Sequence, residues 1–225
     1  ARAEQLVRQN GIRIRKMPDR SIFYLWHGLE VEHHVRLLDL HNPFLQHEAD
    51  KLARTKGCIH MRLAQELEPM TVPSPFLNLL LLDLHILKHT LGRGIGLRQL
   101  CDMARACYRL HREVNPEEMK NCCRRWGLAR WNPLLHAFLV DCLGLPAACL
   151  PYEETAPDAH VLLDIVWKGG NFGRYRSDRE TGGRPGWIHK MHTARSFCRN
   201  LRFAAAYAPK EAFWIFADLA KGQLG

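Results

Sequence analysis

The stretch that decides the fold is LHILKHTLGRGIGLRQLCDMAR, Leu84–Arg105. Its glycines have two interpretations, a loop that cradles phosphate or a bend between two helices. A dinucleotide-binding loop follows a short apolar strand. Here the preceding segment begins with Ser74, a good N-cap, and Pro75, and it continues as an apolar helix. The glycine spacing also lacks the last glycine of G-x-G-x-x-G, so the sequence favours the bend.

The interpretation of these glycines as a bend gives two structural predictions. One of Gly92, Gly94 and Gly96 should adopt a positive φ, and no phosphate should bind there. Apolar side chains on one face of the preceding helix should be buried. These are Leu80, Leu84, Leu87 and Leu91.

Composition limits the class of protein. The 225 residues suffice for one large or two small domains, and 47% of them are hydrophobic. The net charge of +9 favours an anionic partner such as a nucleotide, a nucleic acid or an acidic lipid. No run of apolar residues is long enough to cross a membrane. Eight cysteines without a C-x-x-C pair indicate reduced thiols in a cytoplasmic protein.

The order of predicted elements gives an α+β fold class. A helix over residues 1–10 ends at Gly11, and three strands follow, the last of them ending near Leu38. Everything after Leu38 is predicted to be helical or loop. The predicted domains are therefore a β-containing part, residues 1–40, and a mainly α-helical domain, residues 41–225.

Asparagine–proline pairs predict three helix starts in the second domain, because asparagine caps a helix and proline fits its first position. They are Asn42-Pro43, Asn115-Pro116 and Asn132-Pro133. Residues 169–186 are predicted to form a long loop. Two further helices are predicted at about 187–206 and 209–220.

The third predicted strand, LEVEHHVRL, carries the first candidate site. Alternation places Glu30, Glu32, His34 and Arg36 on one face. Carboxylates on a strand can bind a hard cation such as Mg²⁺. The same pattern is also typical of a solvated outer face with alternating charges, and both interpretations remain open.

The helices around the glycine bend carry the second candidate site. His85 and His89 are four residues apart, a metal-ligand spacing, but Ile86 stands where a zincin needs glutamate. Arg98 and Asp102 are also four apart and are predicted to form an ion pair. The four polar side chains are expected to form one network, which either fixes the helix pair or serves a site.

The third candidate is the loop WKGGNFGRYRSDRETGGRPG. Its glycines allow close backbone approach, Asn171 can bond a base or sugar, and Arg174 begins a series of arginines. The loop could bind phosphate or nucleic acid, or it could be an ordinary surface loop. No G-x-S-x-G nucleophile motif is present.

The strings HILKHTLGRGIGLRQLCDMAR, DIVWKGGNFGR and APKEAFW resemble the helical part of an uncharacterised bacterial nucleotidyltransferase family. This family belongs to the DNA polymerase β-like superfamily. VEHHVRL resembles the last core strand of that family. The resemblance spans nearly the whole chain and implies a partial nucleotidyltransferase sheet of about three strands, followed by the helical domain.

The resemblance also implies a chemistry. Carboxylates would hold Mg²⁺ and orient a nucleoside triphosphate, and a nucleotidyl group would pass to an acceptor that is a protein, a small molecule or RNA. Glu32 matches the third carboxylate and would lie on the central strand of the sheet. Glu30 is the neighbouring candidate metal ligand. The residues implied in substrate binding are His34, Arg36, Lys88, Arg98, Asn171 and Arg174.

One feature of that superfamily does not appear in the sequence, the Gly-Ser turn followed by an Asp-x-Asp strand. We therefore expect these 225 residues to be incomplete as an enzyme and inactive by themselves. The alternative is a non-catalytic basic helical module that binds RNA or an acidic protein. A third possibility is a component of a toxin–antitoxin pair, but no residue of the sequence supports it.

Overall fold

The computed structural model describes residues 2–16, 21–34, 36–38, 40–62, 68–91, 95–169, 201–214 and 217. The chain divides into two compact units, residues 1–39 and 40–225. The first holds a helix and a three-stranded sheet, and the second is mainly helical. The predicted α+β fold class is confirmed. Among the described helices, none has the length and apolar character that a membrane span needs.

The first unit begins with helix α1, Arg2–Gln9, and continues with an antiparallel sheet. Its strands are β1, Arg15–Lys16; β2, Ile22–Trp26; and β3, Leu29–His33, with β2 in the middle. The three predicted strands are thus confirmed. Within the described part, β3 pairs on one side only, with β2, so the central position that the resemblance implies for the strand of Glu32 remains a prediction.

The β2–β3 hairpin turns on two residues. His27 has a φ of 48° and Gly28 a φ of 79°. Positive φ at both central positions is the type I′ turn, whose twist matches that of the flanking strands. Glycine at the second position explains why the turn can form at this point of the sequence.

Strand β3 is shorter than the sequence pattern suggested. Its last pair joins His33 to Ile22, the first residue of β2, so the hairpin ladder ends there. His34 and Arg36 therefore lie beyond the strand, and the prediction of a strand that continues to Leu38 is wrong. Alternation could not show this, because the ladder ends where the partner strand begins.

In its described part, the second unit contains six α-helices and two further helical segments near the end of the chain. The helices are α2, Pro43–Lys56; α3, Pro75–Leu91; α4, Leu97–Leu110; α5, Pro116–Arg125; α6, Trp131–Ala137, which continues as a π-helical turn over Phe138–Cys142; and α7, His160–Gly169. The segments near the end are residues 201–207 and 209–214.

A second hairpin corrects the prediction of an all-helical second unit. Strands β4, Cys58–Met61, and β5, Met70–Pro73, pair antiparallel between α2 and α3. Ile59 lies opposite Val72, both β-branched and suited to strands. Each strand has only four residues, which is too short for a period of two to stand out in the sequence.

The core of the second unit centres on α3. The leucine face predicted for this helix is confirmed, because Leu80, Leu84, Leu87 and Leu91 are all buried. Helix α4 packs against α3. Gly96 precedes α4 with a φ of −89°, so it does not supply the predicted positive φ. The other two candidate glycines of the bend lie outside the described residues.

Two of the three predicted helix caps are confirmed. Asn42 Oδ1 accepts hydrogen bonds from the N–H groups of Phe44 and Leu45, and Asn115 Oδ1 accepts one from Glu118 N–H. The third prediction is wrong. Asn132 lies inside α6 and is buried, because its side chain bonds to a partner on another helix.

The segment 209–214 is attached to the start of α2 by one carboxylate. Glu211 is buried and accepts hydrogen bonds from the backbone N–H groups of His41, at 2.8 Å, and Asn42, at 3.3 Å. The Asn42 amide in turn donates to Lys210 O. A residue near the end of the chain therefore fixes the first turn of the unit's first helix.

Candidate functional site

The exposed carboxylates of the first unit lie on one face of the β2–β3 hairpin. Register pairs Glu32 with Phe23 and Glu30 with Leu25. Phe23 also pairs with Arg15 on β1, and the Arg15 guanidinium lies 4.7 Å from the centre of its ring. A cation, an aromatic ring and a carboxylate thus form one row across the three strands. Glu30 and Leu25 form the next row on the same face.

Two polar side chains of the described residues lie next to Glu32. The Ser21 hydroxyl donates to Glu32 Oε1 at 3.4 Å, and His34 Nε2 lies 3.8 Å from the same oxygen. The side chain of Glu32 is 49% exposed and that of His34 is 46% exposed. The carboxylate is therefore oriented from one side and open to solvent on the other. The structure brings Glu32 and His34 together although His34 lies beyond the strand.

These residues alone do not fit a magnesium ion. Mg²⁺ takes about six oxygen ligands in near-octahedral geometry. Glu30 and Glu32 are two residues apart on one strand, which separates their Cβ atoms by about 7 Å. Within the described ranges no group of three His, Cys, Asp or Glu side chains could hold a metal ion. Magnesium at Glu32 therefore remains a prediction from the family resemblance.

The predicted polar residues of α3 and α4 are partly brought together. The ring centres of His85 and His89 lie 4.4 Å apart in an edge-to-face arrangement. Arg98 Nε lies 4.0 Å from Asp102 Oδ2, so that predicted ion pair is confirmed. Arg98 is 89% exposed, however, and an exposed pair contributes little to stability.

The remaining predicted binding residues are divided between α3 and the third candidate loop. Lys88 is half-buried on α3 and has an interaction partner. Asn171 and Arg174 lie outside the described residues, as does most of the glycine–arginine loop. Their assignment to substrate binding stays a prediction.

Sequence reasoning missed a buried polar cluster, which we call the Asp83 cluster. It consists of Asp83 on α3 and of Trp131 and Asn132 on α6. Trp131 Nε1 donates to Asp83 Oδ1 at 2.6 Å, and Asn132 Nδ2 donates to Asp83 Oδ2 at 2.9 Å. Burial raises the pKa of the Asp83 carboxyl from its ordinary value of 3.8 to about 6, although both hydrogen bonds act to lower it.

The signal for this cluster was present in the sequence. Asp83 interrupts the apolar run LLLLDLHIL. A carboxylate on the buried face of a helix needs hydrogen-bond donors from a neighbouring element, and indole and amide groups supply them. The sequence could thus have shown that Asp83 has buried partners, but not that α6 supplies them.

A buried imidazole also lies on α6. His136 Nδ1 is 2.8 Å from the carbonyl oxygen of Glu154, so it donates its proton there, and the ring packs against Tyr152 at 4.9 Å. Burial lowers the pKa of His136 from 6.5 to about 4. Burial also raises the pKa of the nearby Cys123 thiol well above its ordinary value. This thiol is therefore protonated and unsuited to nucleophilic chemistry.

Comparison with known proteins gives one positive finding. The model of a family described as an uncharacterised nucleotidyltransferase matches residues 1–143. The matched range contains the Glu32 sheet face, helices α3 and α4, and the Asp83 cluster. No curated protein and no solved structure matches the chain. Because the match covers more than half of the 225 residues, this chain belongs to the uncharacterised nucleotidyltransferase family.

Proposed function

We propose that this protein takes part in the transfer of a nucleotidyl group from a nucleoside triphosphate to an acceptor, and that Glu32 is a catalytic residue. The observation that carries the proposal is the family match over residues 1–143, which includes strand β3 and its half-exposed carboxylate. The exposure of Glu32 supports the assignment, because a carboxylate in this role must reach a bound ligand.

The surroundings of Glu32 suit a positioned carboxylate. The Ser21 hydroxyl donates a hydrogen bond to Oε1 of Glu32, at 3.4 Å, and does not bond to Oε2. His34 lies next to the same oxygen, at 3.8 Å. The hydroxyl orients the side chain from one side, and the other side is open to solvent. Since these residues do not form a metal site alone, we assign no metal-dependent step to them.

The test compares two carboxylates on the same strand face. Glu32→Gln and Glu30→Gln remove the same charge from positions two residues apart. The protein that carries these residues would be incubated with each of the four α-labelled nucleoside triphosphates, Mg²⁺ and a fractionated cell extract as acceptor pool. Transfer is measured as label on an acceptor together with released pyrophosphate.

We expect Glu32→Gln to slow transfer at least about 100-fold, because a carboxylate that can take the proton of the attacking acceptor group is replaced by an amide that cannot. Its melting temperature should stay within about 2 °C of the parent, since the residue is half-exposed. Glu30→Gln should retain most of the activity. If Glu32→Gln transfers the nucleotidyl group at the parent's rate and Glu30→Gln is slow, Glu30 is the catalytic carboxylate and the assignment to Glu32 is wrong. Absence of transfer by the unsubstituted protein from all four nucleotides would contradict the proposed function.

A further inference from the structure

The outer face of helix α4 is basic and exposed. Arg98, Arg105 and Arg109 lie on this face, and Arg112 follows in the 3₁₀ turn His111–Glu113 that extends the helix. The opposite face packs into the core through Leu100, Met103 and Cys107, all buried. The separation of the two faces is that of an amphipathic helix at a period of 3.6 residues, and arginines outnumber the one acidic residue of the outer face of α4, Asp102.

Three of the four guanidinium groups are available for a partner. Arg98 pairs with Asp102 at 4.0 Å. The side chains of Arg105, Arg109 and Arg112 form no hydrogen bond or ion pair with any residue of the described ranges, and all three residues are exposed. Uncompensated guanidinium groups aligned on one face attract polyanions and bind phosphate oxygens through two parallel donors.

An aromatic ring lies within this row of charges. Tyr108 is 59% exposed and precedes Arg109 on the helix. An exposed ring between guanidinium groups is what proteins use to stack an unpaired base while the neighbouring cations hold its phosphates. Arg105 and Arg109 are four residues apart, which is about 6 Å along the helix axis. Their long side chains can therefore reach phosphates on either side of a stacked base.

We propose that the exposed face of α4 and its 3₁₀ extension bind single-stranded nucleic acid. The surface is defined by Arg105, Tyr108, Arg109 and Arg112. The arginines recognise the phosphodiester backbone, and Tyr108 stacks on a base. An acidic peptide would satisfy the charges but would leave the ring without a stacking partner, and a duplex would offer phosphates but no unstacked base. The inference does not depend on the proposed nucleotidyl transfer.

The main test uses two variants of equal net charge. Arg105→Glu/Arg109→Glu changes the proposed surface. Arg54→Glu/Arg130→Glu changes two exposed arginines elsewhere in the second unit, on α2 and before α6. Binding of dye-labelled 20-nucleotide oligouridine and oligodeoxythymidine is measured by fluorescence anisotropy at several salt concentrations. Melting temperatures confirm that all proteins are folded.

We expect the Arg105/Arg109 variant to bind at least about tenfold more weakly at 0.1 M salt, and the control variant to change less than about threefold. The dependence of log K on log salt should become shallower by about 1.4 in the first variant, since two phosphate contacts on a single strand are lost. Equal losses in both variants would overturn the proposal, because they would reflect net charge alone. Failure of the unsubstituted protein to bind either oligonucleotide would also overturn it.

A second pair of variants tests the stacking role. Tyr108→Ala should weaken binding about tenfold, and Tyr108→Phe should bind like the parent, because stacking needs the ring and not the hydroxyl. The oligouridine and oligodeoxythymidine arms distinguish RNA from DNA as the natural ligand. If Tyr108→Ala has no effect and poly-glutamate competes as well as an unlabelled oligonucleotide, the partner is an acidic protein and the proposal is wrong.

Discussion

Two buried groups with opposite pH dependence lie on neighbouring helices. Asp83 on α3 has its pKa raised to about 6, and His136 on α6 has its pKa lowered to about 4, both mainly by burial. We predict that their effects on the free energy of unfolding cancel between pH 4 and pH 6.5. Removing either group should therefore reveal the slope that belongs to the other.

The signs follow from which state binds the proton more tightly. Folded Asp83 holds its proton up to about pH 6 and the unfolded chain only up to about pH 4, so stability falls as the pH rises between these values. Folded His136 takes up its proton only near pH 4 and the unfolded chain near pH 6.5, so stability rises over that range. Each difference in pKa corresponds to about 3 kcal/mol, with opposite sign.

The substitution Asp83→Asn isolates the first effect. The amide has one acceptor oxygen where the carboxylate has two, so either Trp131 Nε1 or Asn132 Nδ2 loses its acceptor, at a cost of about 1–3 kcal/mol. The parent carries the ionisation penalty of Asp83 at pH 7 but not at pH 4. The stability of the variant relative to the parent should therefore improve by about 3 kcal/mol between pH 4 and pH 7.

Urea unfolding followed by far-UV circular dichroism at pH 4, 5, 6 and 7 gives both free energies. The difference between variant and parent removes the contribution of all other titrating groups. His136→Gln is the matched variant, because the glutamine amide can still donate to Glu154 O. Its stability relative to the parent should change in the opposite direction and fall by about 3 kcal/mol between pH 4 and pH 7, because only the parent gains stability from His136 as the pH rises.

If the difference in unfolding free energy between Asp83→Asn and the parent is constant within about 1 kcal/mol from pH 4 to pH 7, burial does not raise the pKa of Asp83.

The structure contains a feature that favours the protonated form of Asp83. Asn132 Oδ1 is buried and has no hydrogen-bond partner in the described part of the chain. A protonated Asp83 could donate to that oxygen if the amide rotated by a half-turn.

Two further predictions concern packing and backbone conformation. Leu84→Ala should lower the free energy of unfolding by about 2–5 kcal/mol, because Leu84 is 5% exposed. Leu97→Ala, on the exposed face of α4, should change it by less than about 0.5 kcal/mol. Similar losses for the two variants in urea titrations would mean that the buried face is assigned wrongly. Gly127→Ala should cost more than Gly57→Ala, because both glycines have positive φ but only the Gly127 Cβ would come within 2.9 Å of Lys210 Cγ. Equal melting temperatures for the two glycine variants would show that the contact is relieved freely.

Features that depend on neighbouring residues along the chain were predictable. The leucine face of α3 follows from a period of 3.6 residues, and the caps at Asn42 and Asn115 follow from the hydrogen-bonding geometry of one side chain and the next few N–H groups. The β4–β5 hairpin was not predictable in this way. Its strands have four residues each, and their pairing depends on contacts across the intervening residues 62–69.

The Glu32 site shows a different limit. Alternation correctly placed Glu30 and Glu32 on one face of a strand, because that needs only the strand itself. It could not show that Ser21 donates to Glu32 or that the ladder ends at His33, because both depend on the register with β2. The chemistry of the carboxylate is thus set by a partner strand whose alignment the sequence pattern leaves open.

Asn132 shows how a tertiary contact overrides a local signal. The pair Asn132-Pro133 has the same form as Asn42-Pro43 and Asn115-Pro116, and in each pair asparagine could cap the helix that proline begins. At Asn132, however, the carboxylate of Asp83 lies 2.9 Å away in the core. A bond to a buried carboxylate is stronger than an exposed cap, and without it Asp83 would lose one of its two donors. The helix therefore begins earlier, at Trp131, and the asparagine side chain is directed inward, where it fixes α6 against α3.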